Sequence, residues 1–188
     1  FHAKLMFSRA FKAPTLQNVD INPAIKPEIS NVAEIEFGYR LNKNMVFDIN
    51  FFGIDISNAI VYLWVDNRDH YINYEKTGSS GFELGYKMKE KWLNLNLSYS
   101  YYLASSKNKV PDYEVLGHSN VFGAYPNHKV SLISSVQLFK NMFISPSILF
   151  YSKRYSYFYD SDWNPLLQEY NPTLLANLFI EYRNFPLK

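Results

Sequence analysis

The stretch Leu93-Asn94-Leu95-Asn96-Leu97-Ser98-Tyr99-Ser100-Tyr101-Tyr102 decides the fold. Leu93, Leu95, Leu97, Tyr99 and Tyr101 take every second place, and Asn94, Asn96, Ser98 and Ser100 take the places between. Successive side chains of a β-strand point to opposite faces, so this segment has one apolar and one wet face. A helix, with its period of 3.6, mixes the two sets all round its axis.

The same period recurs on both sides of that stretch. Ala33, Ile35, Phe37, Tyr39 and Leu41 alternate with Val32, Glu34, Glu36, Gly38 and Arg40. Phe82, Leu84, Tyr86 and Met88 alternate with Glu83, Gly85 and Lys87, and Val130, Leu132, Val136 and Leu138 with Lys129, Ser131, Ser135 and Gln137. Short polar turns lie at 42–44, 89–91, 140–141 and 184–186. Longer links fall at about 10–27, 65–70, 104–127 and 156–172, so short and long connections alternate. In an up-and-down sheet alternate connections share an end, which leaves one end trimmed and the other looped, as in outer-membrane barrels. The pattern predicts eight strands, at about 1–9, 28–41, 45–64, 71–88, 91–103, 128–139, 142–155 and 173–184. Turns recurring every ~40–50 residues also fit propeller blades, but each period here holds two long strands rather than four short ones.

Composition separates the function classes. Of 188 residues, 47% are hydrophobic and 18% aromatic, which excludes a disordered chain. The net charge is +2 with cations scattered, so no nucleic-acid footprint is present. The absence of cysteine removes disulfides, thiolate metal sites and thiol nucleophiles. No apolar run reaches the ~18 residues of a membrane helix, and no signal peptide opens the chain. The chain starts in mid-pattern without an initiator Met, and so reads as an excerpt.

Alternation alone also fits a soluble β-sandwich, the rival architecture, whose aromatics would serve a carbohydrate-binding or other binding module. Three features favour the membrane. The wet rows are mild rather than densely charged. Rings gather near the loop ends of the apolar rows, at Tyr99 with Tyr101, Tyr62 with Trp64 and Tyr151 with Tyr155, where a headgroup boundary suits a ring with one polar tip. The strands also exceed the ~5–6 residues usual in soluble sheets.

The segment Phe7-Ser8-Arg9-Ala10-Phe11-Lys12-Ala13-Pro14-Thr15-Leu16, followed by Asn22-Pro23-Ala24-Ile25-Lys26-Pro27-Glu28, resembles paired motifs in the barrels of TonB-dependent receptors. Asn31, Glu34, Gly38-Tyr39, then 77–84 and Tyr125-Pro126-Asn127-His128-Lys129 continue the resemblance in the family's order. It implies that residues 1–188 are part of one all-β transmembrane barrel domain, about eight antiparallel strands of a 22-stranded barrel. The plug and the final strand or strands lie outside the sequence. It implies uptake of a scarce nutrient, by default a ferric siderophore, across the bacterial outer membrane. The expected partners are an N-terminal plug of the same polypeptide, the TonB system, outer-membrane lipid and a small ligand.

Candidate contacts follow from position. Tyr113 and His118 in the third long link, and Tyr155, Tyr157, Tyr159 and Trp163 around the fourth, can face a ligand; the bland reading is a solvated histidine and packed rings. Glu34, Glu36 and Arg40 are expected to face the plug or lumen. His128, at a strand start, reads as structural. His118 with Asp112, Tyr113 and Glu114 admits a metal contact in principle, but no metal site is assigned. Haem is disfavoured because 13–22 holds no histidine. No cofactor and no catalytic residue are assigned, since Ser119 beside His118 is an adjacent pair rather than a positioned dyad.

Overall fold

A computed structural model describes residues 1–104, 110–161 and 164–183, with the Asp112 side chain outside that set. Eight strands form one antiparallel sheet: β1 (His2–Lys12), β2 (Glu28–Asn42), β3 (Met45–Val65), β4 (Arg68–Lys89), β5 (Leu93–Ala104), β8 (His128–Phe139), β9 (Met142–Tyr151) and β12 (Thr173–Tyr182). Each pairs only with its neighbours in that order, an up-and-down meander. Two small two-stranded sheets sit in the connections, β6 (Glu114–Val115) with β7 (His118–Phe122), and β10 (Arg154–Tyr159) with β11 (Pro165–Tyr170). No helix among the described residues is long and apolar enough to cross a membrane.

The apolar side of the sheet is the exposed one. In β2, Ile35, Phe37, Tyr39 and Leu41 are 39–54% exposed, whereas Glu34 and Glu36 are half-buried and Gly38 is buried. Water-soluble folds reverse this order, because burial of apolar area drives their folding. Here the apolar rows need another apolar solvent. The rival β-sandwich is thereby overturned, since no second sheet covers these rows among the described residues.

The register fixes where the apolar band ends. Leu5, Ile35, Phe51, Phe82, Tyr101 and His128 are successive cross-strand partners, one row running over six strands. Its rings touch: Phe51 and Phe82 lie 6.1 Å apart, Phe82 and Tyr101 5.6 Å, and Tyr101 and His128 4.8 Å. Four residues further along β1, and correspondingly across the sheet, the same face presents Arg9, Asn31 and Asp55. Toward the short turns, Trp92, Phe139 and Tyr182 are exposed. Aromatic girdles thus bracket the band. Between them Leu93 to Tyr101 covers about 26 Å of strand at ~3.3 Å per residue, close to the hydrocarbon thickness once tilted.

Several sequence expectations need correction. The link at 65–70 is no long loop: β3 and β4 meet through Asp66 and Asn67, both left-handed at φ 51° and 60°. A two-residue turn with two positive φ values matches strand twist, and Asp and Asn tolerate it. The hairpin therefore carries Tyr62 and Trp64 beyond the polar row, so they are not girdle residues. Tyr151 pairs with Lys129 on the inward face, where Lys129 and Arg154 lie over its ring. Tyr155 is buried among the loops. Of the three proposed ring pairs, Tyr99 with Tyr101 alone keeps its girdle position. The first long link also contains a short helix, α1 (Leu16–Ile21), whose capping box exchanges hydrogen bonds between Thr15 and Asn18. The expected turn at 184–186 lies outside the described residues.

Candidate functional site

The inward face changes character along β3. Asp48 and Asn50 are followed on the same side by Phe52, Ile54 and Ile56. Their partners in β4 are Gly85, Glu83, Gly81, Ser79 and Thr77, and β5 adds Ser98, Ser100 and Tyr102. The inward surface is therefore acidic at mid-height and apolar near the looped end. Glu83 accepts hydrogen bonds from the Tyr102 hydroxyl at 3.1 Å and from Ser100 at 3.4 Å. Phe52 packs on Tyr102 with ring centres 5.1 Å apart.

The third long link folds over this apolar end. Asn127 anchors it to β5: its carbonyl accepts from the Tyr102 N–H at 2.9 Å, and its side-chain amide donates to the Tyr102 carbonyl at 2.6 Å and to that of Asn120 at 3.2 Å. The 3-10 turn Pro111–Tyr113 and β7 then stand above the sheet, with Tyr113 edge-on to Phe122 at 6.2 Å. Wall and link enclose a cavity of about 550 Å³ between Ile54, Ile56, Thr77 and Tyr102 on one side and Tyr113, Phe122 and Tyr125 on the other. Thr77 is 4% exposed, and its hydroxyl has no hydrogen-bond partner among the described residues.

Beside the cavity, Ile56 joins Ala59, Val61 and the fully buried Val110 in an apolar cluster. Strict alternation would set Ile56 and Ala59 on opposite faces. Asn58, at φ 54°, stands between them and turns the strand. The upper hairpin can thus hold Val110, just after the undescribed 105–109, against the same surface as the cavity.

The fourth link braces the third. Tyr155, Tyr157 and Tyr159 alternate with Ser156 and Phe158 along β10, and two of the three touch the β6–β7 unit. The His118 ring lies 4.5 Å from that of Tyr155, the Ala124 N–H donates to the Tyr155 carbonyl at 2.6 Å, and the Leu116 N–H donates to the Tyr157 hydroxyl at 3.2 Å. Lys153 pairs with Glu169 beside Tyr155. The Lys153 ammonium, aided by the Tyr155 hydroxyl and by His118, holds the Glu169 carboxyl below the ordinary carboxylate range. Glu169 in turn raises Lys153.

The sequence candidates are therefore dispersed over different tasks. Tyr113 lines the cavity, whereas His118, Tyr155 and Tyr157 form the brace. Tyr159 is exposed near the hairpin tip, and Trp163 lies outside the described residues. Glu36 faces inward, accepting from His2 at 2.8 Å and Lys4 at 3.2 Å. Glu34 and Arg40 share its side of β2. No group of three or more metal-ligating side chains occurs among the described residues. Sequence reading missed Ile54, Ile56, Thr77, Tyr102, Phe122 and Tyr125. One signal was present: the wet face of β3 turns apolar after Asn50.

Comparison with known proteins gives a consistent likeness. The model of the family described as TonB dependent receptor-like, beta-barrel, matches residues 3–185. No curated protein matches the chain. Among solved structures, a ferric enterobactin receptor mutant from Pseudomonas aeruginosa in complex with enterobactin superposes with a TM-score of 0.75 at 18% identity, over 96% of this chain and 30% of that one. The ferripyoverdine receptor of the outer membrane of the same organism, bound to ferripyoverdine, gives 0.74 at 14%, over 96% and 25%. The FrpB iron transporter from Neisseria meningitidis gives 0.72 at 14%, over 96% and 30%. The chain spans between a quarter and a third of these relatives, and identities this low speak for the fold alone.

Proposed function

The chain belongs to the TonB-dependent receptor β-barrel family of the outer membrane, and from that premise we propose that it is part of the wall of a receptor taking up a scarce nutrient, a ferric siderophore. The observation that carries the reading is the pairing of an outward apolar band with an aromatic-lined cavity at the looped end. The loop side is the side from which an external ligand arrives. The siderophore cargo is supported by relatives whose names are those of ferric enterobactin and ferripyoverdine receptors.

Residues 1–188 belong, on this reading, to one barrel domain. Among the described residues β1 and β12 each pair on one side only, and the family reading makes them neighbours of other strands in a barrel of about 22. A plug from the same polypeptide fills it, and the TonB system acts from the short-turn end. Support for a plug comes from the inward Glu34, Glu36 and Arg40 of β2.

The test is uptake of radioactive iron by cells carrying or lacking the parent gene, over a panel of ferric siderophores. Accumulation of one chelate, dependent on both the gene and TonB, is the expected result. Equal accumulation of every chelate with and without the gene would overturn the siderophore assignment.

A further inference from the structure

Toward the short turns the inward face reverses its charge. Glu34, Glu36, Asp48 and Glu83 lie at mid-height, but beyond them the register sets Arg40, Val46, Lys87 and Asn96 in one row, and Lys89 beside Asn94 in the next. Lys43, Lys87 and Lys89 line one cavity of about 630 Å³ with Asn94, Asn96 and a serine pair, in which Ser145 donates to Ser135 at 3.1 Å. No Asp or Glu is among the described lining. The segments outside the described residues add none at this end: 105–109 and 162–163 interrupt the looped end, and 184–188 contains neither residue type.

These lysines are also unpartnered. Among the described residues none of the three side chains makes an ion pair or a hydrogen bond. Nearby carboxylates have other tasks: Glu90 accepts from the Asn44 side chain at 2.8 Å, and Asp48 lies over the Gly85 backbone. An ammonium group facing water needs no partner. On an inward surface against a plug it loses much of that water, and a charge so enclosed is costly without a counter-charge. We propose that this cavity docks an acidic segment of the plug, its carboxylates meeting Lys43, Lys87 and Lys89 while the Asn94 and Asn96 amides donate to the remaining oxygens. The inference rests on the receptor reading for the plug itself, and names the short-turn rim of the wall as a place that holds it.

The test is zero-length coupling of the full-length receptor in detergent with a carbodiimide, which joins a carboxylate to an amine only where the two are in contact, followed by digestion and mass spectrometry. Amide links from Lys87 or Lys89 to Asp or Glu residues upstream of Phe1 are expected, and their yield is expected to fall several-fold when salt is raised before coupling. Lys87→Gln with Lys89→Gln is expected to speed deuterium exchange in the linked plug segment, whereas Lys87→Arg with Lys89→Arg keeps the charge and the slow exchange. Coupling needs no substitution, so the test stands where a variant fails to assemble. Links from these lysines only to Glu90 or Asp48, no links at all, or equal exchange in the Gln and Arg variants overturns the proposal. So does coupling abolished by inorganic phosphate at constant ionic strength, which would mark a site for a free anion. Plug links without chelate uptake would overturn the siderophore reading alone, and chelate uptake without plug links would overturn this inference alone.

Discussion

Asn73 grips Lys26 by both of its backbone groups: Asn73 Oδ1 accepts from the Lys26 N–H at 2.7 Å, and Nδ2 donates to the Lys26 carbonyl at 2.9 Å. Nδ2 also donates to the carbonyl of the left-handed Asn58 at 2.9 Å. One side chain thus ties the first long link to the hairpin at the place where β3 changes face. Asn22 adds a parallel tie, donating to the Tyr71 carbonyl at 2.8 Å.

Loss of that grip should loosen the link without unfolding the wall. In Asn73→Ala the Lys26 amide is expected to exchange with deuterium roughly tenfold faster, the equivalent of about 1–1.5 kcal/mol for one hydrogen bond. Asn73→Asp keeps the acceptor and should change exchange at Lys26 less. Equal exchange in wild type and Asn73→Ala would show that other contacts hold the link.

The two faces should respond oppositely to charge. Leu97 lies mid-band on the outward side and pairs with Tyr86 and Leu132, whereas Asn96 faces inward. Leu97→Arg is expected to destabilise the bilayer-inserted receptor by about 2–4 kcal/mol, and Asn96→Arg by much less. Urea titration of protein folded into vesicles checks both; a reversed order would mean that the faces are misassigned.

Close backbone approach makes two glycines sensitive and a third tolerant. A Cβ on Gly81 would lie 2.0 Å from the Tyr101 carbonyl oxygen, and one on Gly78 2.1 Å from that of Ile54. Both obstacles are main chain and cannot swing aside. At Gly38 the obstacle is the end of the His2 ring, which can rotate away. Gly81→Ala and Gly78→Ala should each cost about 1–3 kcal/mol, and Gly38→Ala under 1 kcal/mol, in the same urea assay.

The loop brace should depend on pH only at the extremes. Glu169 is held below its ordinary range, so its contribution is present above the unfolded carboxylate value and is lost as pH falls through the lowered native one. Lys153 is raised, so its contribution is present below the ordinary lysine value and is lost as pH rises through the raised one. Proteolysis within 154–170 is therefore expected to quicken in strong acid and strong alkali and to stay flat through neutrality. Since both groups are exposed, Glu169→Gln should flatten the acid limb while leaving global stability little changed.

Much of the wall was legible in advance because period-two rows are written residue by residue. Expected strands at 28–41 and 128–139 coincide with β2 and β8 to within a residue. The misreadings arose where local chemistry competes. The polar run at 66–70 looks like a loop, yet Val65 pairs with Arg68 around Asp66 and Asn67. Thr15 and Asn18 cap a helix inside what looked like irregular chain, although their spacing is a readable capping signal. The contacts of Tyr155 with His118 and of Tyr157 with the Leu116 N–H could not be read in advance, because they join links far apart in the chain.

By itself the sequence determined the strands, their two faces and the family, because alternation along a strand needs no knowledge of the neighbouring strand. Only the tertiary structure decided that Ile54, Thr77, Tyr102 and Phe122 line one cavity. Those residues are far apart in the chain, and cross-strand register and the packing of a link over the sheet bring them together. Neither has a local signature, since register depends on pairing between distant segments and link packing on which side chains fill the space left above them.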